Sequence, residues 1–294
     1  MKRSFLSRLR RNGTLYLTSA LLLLMGIPLY QARVLVPLGY SDALAATGTG
    51  RFASYLTWIG SHNTQFLVYR VLLILAFALL LSLPFSLFRI IIAQELMAQQ
   101  EQAEEEEEAE QEEDHENVDE EPEDEVDEED DTSEAEESDG LPPYAWRGKG
   151  FAVIAAWSGL FGLVAYVLGT VVSTLYLAIV SSGFTSRAPL PGNLTVFLSI
   201  FSFFTNTVGI GFLALATLFF GAIIARSGHK LWPGEWVIFG YIALAVAALL
   251  SGSAVAVASA PTAGQAPLTA PAILLFALWT LWLSVMLVRL KPEA

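Results

Sequence analysis

Six runs of predominantly apolar residues, each long enough to cross a bilayer, leave few folds open to this chain. They lie at roughly Thr14–Leu38, Phe66–Ile92, Phe151–Val180, Leu194–Ile224, Trp236–Ala258 and Pro271–Val288. A spanning helix needs about 20 largely uncharged apolar residues. With no water in the bilayer core, backbone groups must be satisfied within the protein, which makes such runs helical. The expected fold is all-α: a polytopic membrane bundle of six transmembrane helices, two before and four after an acidic interruption.

That interruption dominates the charge of the chain. Glu101 to Asp139 hold 26 of the 30 acidic residues and no Lys or Arg. Outside it, 16 basic residues face 4 acidic ones, so a chain of formal net charge −14 is a basic membrane body carrying an acidic insert. The organisation follows: a basic arm (1–13), two spans (14–94) joined by an outer loop (39–65), an acidic and largely disordered cytoplasmic loop (95–149), and four spans (150–294). Good helix formers after Gln94 extend the second span into water, with fraying expected by about His115. Beyond it, high charge and few apolar residues cannot offset the entropy of ordering. Such a tract suits a solvated linker, a basic protein partner or diffuse divalent cations. It lacks the ligand spacing of a calcium loop, and no nucleic-acid partner is expected.

Lys and Arg mark the cytoplasmic side of short loops. Lys2, Arg3, Arg8, Arg10 and Arg11 precede the first span; Arg89, Arg147 and Lys149 border the acidic loop; Arg226 and Lys230 follow the fourth span; Arg289 and Lys291 follow the sixth. The intervening loops carry Arg51, Arg187 and no charge in turn. A cell-membrane protein with both termini and the acidic loop inside is expected. The first run is longer than a signal-peptide core, so it reads as an uncleaved span.

Several local features bear on packing. Phe52, Tyr55, Leu56 and Ile59 recur at helical spacing in the first outer loop, which predicts a short helix with that face toward lipid. Pro84, inside the second span, predicts a kink and is a candidate hinge. Arg33 and Arg70 lie within apolar runs near the outer ends of their spans; they read either as a buried anion site or, as is expected at that depth, as side chains snorkelling to the headgroups. Small pairs four apart, Ala155 with Gly159, Gly169 with Ser173 and Thr207 with Gly211, let helices approach closely. That pattern leaves both intramolecular packing and homo-oligomerisation open.

No catalytic constellation is visible, so a non-enzymatic protein is expected, with no cofactor and no metal site. Cysteine is absent, and the three histidines, at 62, 115 and 229, fall in predicted loops. No run carries Asp, Glu or His near its middle, where proton-coupled transporters place such a group. The polar exception is Thr205-Asn206-Thr207, near the middle of the fourth span, followed by Gly209 and Gly211 as candidate hinges. A mid-membrane amide must find partners inside the protein or in a hydrated cavity. Two functions follow: a scaffold presenting the acidic arm, or a small-solute channel or facilitator with a polar path at this point. A hydrated cavity reaching Asn206 would favour the second.

Arg226-Ser227-Gly228, Leu231-Trp232-Pro233 and Leu278-Trp279 before Arg289 resemble the C-terminal part of a broad group of bacterial six-span membrane proteins. The resemblance covers Phe219 to Leu290. It implies a six-helix bundle, and no functional residues with it.

Overall fold

The computed structural model describes residues 3–48, 51–116, 145–185, 189–259 and 268–289. Six helical segments are long and apolar enough to cross a membrane: Ser7–Leu35, Asn63–Ala98, Gly150–Ser182, Leu194–Gly228, Gly234–Ser259 and Thr269–Arg289. Large apolar side chains stand exposed along their flanks, among them Val71, Phe161, Leu175, Ile179 and Val255. Apolar surface on this scale is matched by lipid, not water. The chain is a multi-pass membrane protein.

The first span begins as α1 (Arg3–Leu21), continues through a π turn (Leu22–Gly26) into α2 (Ile27–Tyr30), and ends in a second π turn (Gln31–Leu35). Pro28 has no N–H to donate, and the widened turn just before it accommodates the ring, with Ile27 N–H bonding back to the Leu22 carbonyl. The basic arm is thus no separate element; helix runs unbroken from Arg3. Gly13 lies where α1 crosses the last span, a Cβ there falling 2.9 Å from Leu287 Cβ. Pro37 and Gly39 end the span, Gly39 taking a φ of +82° that favours glycine.

Two short helices follow, α3 (Tyr40–Gly48) and α4 (Phe52–Ser61), packed on each other. The second span then divides into α5 (Asn63–Ala78) and α6 (Leu83–Glu116). The kink expected at Pro84 is a break over residues 79–82. Pro84 cannot bond the Leu80 carbonyl, which instead accepts Leu83 N–H at 2.8 Å. Leu80 N–H turns to the Phe77 carbonyl, and the Ala76 carbonyl so freed accepts Ser19 Oγ from α1 at 2.7 Å. The Pro84 ring sits against Gly159, where a Cβ would fall 2.7 Å from Pro84 Cγ. The helical extension of the second span runs to Glu116; the disorder expected farther along falls outside the described residues.

The third span is α7 (Ala145–Ser182), and the fourth joins α8 (Leu194–Ser202), a π segment (Phe203–Gly209) and α9 (Ile210–Leu231). The fifth is α10 (Gly234–Ser259) and the sixth α11 (Thr269–Arg289). Gly228, with φ +55°, turns the chain between α9 and α10. Each span packs on the next in chain order, and α11 closes the ring against α1. At the end bearing the acidic segment, α6 also touches α9, and Gln94 Nε2 donates to the Leu231 carbonyl at 2.8 Å. The opposite end is covered by α3 and α4.

The face of α4 predicted for lipid is turned the other way. Phe52, Tyr55, Leu56 and Ile59 are all buried, with α4 against α7. Gly60 permits the contact, since a Cβ there would fall 2.7 Å from the Ser181 carbonyl oxygen. Helical periodicity marks a face that must be covered; here protein covers it.

Candidate functional site

Between the ring and the α3–α4 cover lies a cavity of about 460 Å³. Its polar lining comes from both cover helices and five of the spans: Gln31 on the first, Tyr69 and Arg70 on the second, Tyr166, Thr170 and Ser173 on the third, Ser202, Thr205 and Asn206 on the fourth, Thr269 on the sixth, and Tyr40, Thr47 and Tyr55 on the cover. Leu23, Ile27, Leu73, Leu177, Ile273 and Leu274 supply apolar wall. All three π turns contribute to it, through Leu23, Gln31 and the Thr205–Asn206 pair. A π turn widens the helix and shifts the side chains that follow, a distortion commonly found at functional sites.

The intramembrane triplet divides between two partners. Thr205 and Asn206 face the cavity. Thr205 Oγ1 rests on Gly169, a position with no room for a Cβ. Asn206 Nδ2 lies 3.5 Å from Ser202 Oγ, one turn earlier. Thr207 points away and donates to the Ala254 carbonyl of α10 across 3.4 Å. The candidate hinges also differ. Gly209 is buried in the crossing with α7, beside Gly162 and Tyr166, whereas a Cβ on Gly211 would meet nothing within 4 Å. Pro84 lies away from the cavity, in the packed break of the second span.

Arg33 and Arg70 part company. Arg33 is exposed, consistent with snorkelling. Arg70 turns into the bundle, where its Nη2 donates to Ser173 Oγ at 3.0 Å. Its guanidinium carbon lies 5.5 Å from the Phe66 ring centroid, a cation–π distance. The Nε atom is buried without a hydrogen-bond partner. Ser173 in turn donates to the Thr170 carbonyl at 3.0 Å, which fixes its hydroxyl.

Tyrosines dominate the cover side. The Tyr40 ring lies 4.9 Å from Trp58, 6.0 Å from Tyr69 and 6.5 Å from Tyr55. Gln31 Nε2 donates to Tyr69 Oη at 2.9 Å, tying the first two spans together. Trp58 Nε1 donates to the Leu38 carbonyl at 2.7 Å, which anchors α4 to the end of the first span. Burial pushes the Tyr40 phenol well above its ordinary value and raises that of Tyr55. Both are therefore neutral O–H donors at physiological pH. Tyr166, deeper in the third span, packs its ring 4.0 Å from Phe77.

Sequence reasoning reached Thr205 and Asn206, weighed Arg70 as an anion site but favoured snorkelling for it, and missed Gln31, Tyr69, Thr170 and Ser173 as its neighbours in one site. A signal existed: Thr170, Ser173 and Thr174 place three hydroxyls on one face of the third span, at the depth of Arg70. Among the described residues, no group of three His, Asp or Glu side chains could hold a metal ion. No protein-family pattern, curated protein or solved structure matches the chain. The likeness to bacterial six-span proteins thus rests on its few residues alone.

Proposed function

We propose that this membrane protein is a small-solute channel or facilitator, and that the cavity beneath α3 and α4 is its solute site. The observation that carries this reading is a space of about 460 Å³, with apolar walls and polar groups from several spans, that extends to Asn206. Interhelical glue of the ordinary kind needs no such space, because its polar groups meet side chain to side chain. Ligand pockets span about 300–1,000 Å³ and combine apolar walls with a few placed polar groups, as here. The reading is non-enzymatic: the lining offers donors, a cation and two amides, without a nucleophile paired to a base. A scaffold role rests instead on the acidic segment, most of which lies outside the described residues. A basic protein bound there would be released by salt, since exposed charges are screened over about 8 Å at physiological ionic strength.

The distribution of Lys and Arg supports a cell-membrane orientation with both termini and the acidic segment inside. The cavity then lies in the outer half of the bundle. In this cysteine-free chain, Ala45→Cys, on the exposed side of α3, should react with a membrane-impermeant maleimide in intact cells. Ser138→Cys should react only after lysis. The reverse pattern would invert the topology.

The test of function is permeability. Proteoliposomes containing the full chain, challenged with a panel of neutral, zwitterionic and charged small solutes, should take up at least one faster than protein-free vesicles. Asn206→Leu should change that rate while shifting stability by no more than about 1 kcal/mol, the scale of an intramembrane hydrogen bond. Rates equal to those of empty vesicles for every solute would remove the transport reading.

A further inference from the structure

We propose that the cavity takes an organic anion with an apolar body, its negative group held by Arg70. The proposal rests on the solute-site reading and adds the charge and shape of the solute. Among the described residues lining the cavity, Arg70 is the one charged side chain; no carboxylate faces it. Arginine does not lose its proton in proteins. A full positive charge therefore sits within the span, and an ionised group held away from water is costly unless paired. Intramembrane ionisable groups of this kind mark solute paths.

The guanidinium is also held in place. Ser173 accepts from Nη2, and Phe66 lies beneath the charge. An arginine carries five N–H donors, and Ser173 occupies one of them. Snorkelling would free the side chain to follow the headgroups; these contacts direct it into the ring.

The surroundings complete an anion site. Tyr69 accepts from Gln31, which leaves its own O–H to donate. Tyr40 and Tyr55 stand on the same wall, hydrogen-bonded to each other, so the pair adds one further phenolic donor. A planar carboxylate matches the guanidinium fork and accepts several donors at once. A bare halide would leave most of the space and its apolar wall unfilled. Leu73 beside Arg70, with Leu23, Ile27 and Ile273 across the cavity, suits a hydrocarbon or aromatic portion.

The test uses three isosteres of different charge: benzoate, benzamide and benzylammonium. Each is radiolabelled and bound to the purified full chain in nanodiscs of phosphatidylcholine. Benzoate should bind saturably and resist displacement by the neutral or cationic analogue or by chloride. Arg70→Gln should weaken benzoate at least tenfold. Arg70→Lys, which keeps the charge without the fork, should restore part of the loss, and Ser173→Ala, which frees the guanidinium, should weaken binding less than Arg70→Gln. A purely structural Arg70 would give no such charge-dependent series. Nanodiscs containing phosphatidylglycerol separate the two sources of the anion. If that lipid abolishes benzoate binding in an Arg70-dependent manner, the anion is a lipid headgroup; if binding persists, it is a free solute. Equal binding of benzamide, or undiminished benzoate binding in Arg70→Gln, overturns the proposal and leaves an uncharged-solute site standing. Failure of all three probes to bind overturns it as well, while the permeability panel decides the broader reading independently.

Discussion

The crossing of the third and fourth spans gives the sharpest test of the packing. A Cβ added at Gly162 would fall 2.8 Å from the Gly209 carbonyl oxygen, 2.8 Å from Leu213 N and 3.0 Å from Leu213 Cγ. Ordinary contact begins at 3.4 Å, a shortfall of about 0.6 Å. Two of the three atoms are backbone, so no side-chain rotation relieves the clash and the helices must separate. Gly211, between Gly209 and Leu213 on the fourth span but facing the other way, would add its Cβ to open space. Replacing either glycine by alanine brings the same gain in helix propensity, roughly 0.5–1 kcal/mol. That term cancels between the two variants, and their difference isolates the steric cost. Overpacking of this kind costs about 1–3 kcal/mol. Gly162→Ala should therefore be less stable than Gly211→Ala by that amount, with Gly211→Ala at or above wild type. Equilibrium unfolding of the full chain in mixed micelles, titrated with dodecyl sulfate and followed by tryptophan fluorescence, measures both. Equal midpoints, or a Gly211→Ala variant as weak as Gly162→Ala, would refute the claim that backbone meets backbone here.

Ser19→Ala should cost about 1 kcal/mol in the same unfolding assay, because the Ala76 carbonyl exposed by the helix break would lose its partner in a dry setting. Pro84→Ala should destabilise by roughly 1 kcal/mol despite restoring an N–H, since the Leu80 carbonyl is already taken and the ring atoms filling the Gly159 notch are lost; a stabilised variant would refute this. Stability should be flat from neutral pH to about 10 and fall above it. The Tyr40 and Tyr55 phenols are raised by burial above 10.0, so the unfolded chain loses these protons first and alkaline pH favours it. Tyr40→Phe should flatten part of that slope, and an unchanged alkaline limb would exclude this phenol as its source.

The spans were legible in the sequence because lipid imposes a length and a composition that few other environments demand. Proline chemistry likewise located the break near Pro84, though not its form. Whether the helix kinks or unwinds depends on a partner for the freed carbonyl, and Ser19 stands on another span. The polar middle of the fourth span was legible as a group needing hydrogen bonds. Its division, with Thr205 and Asn206 inward and Thr207 toward α10, required the π turn, which changes the rotation of side chains and leaves no sequence pattern.

Sequence gives depth in a membrane; it does not give direction around the helix axis. Arg33 and Arg70 occupy similar depths in neighbouring spans and would be equally served by headgroups. What separates them is the company each helix face keeps. Arg70 lies four residues from Phe66, on the face turned toward the third span, where Ser173 offers an acceptor. Arg33 lies on a face that no span covers. The same ambiguity governed α4, whose apolar face would suit lipid or protein alike. Trp58 decides the outcome: its indole N–H reaches the Leu38 carbonyl at 2.7 Å, fixing α4 over the ring. Once Phe52 and Tyr55 are turned inward by that anchor, the cover contributes phenols and apolar surface to the space around Arg70. The inward arginine and the inward helix face are thus one arrangement, and each makes the other useful. A charge pointing into an uncovered ring would be bathed in water, and a cover over an uncharged ring would bind only by its apolar surface.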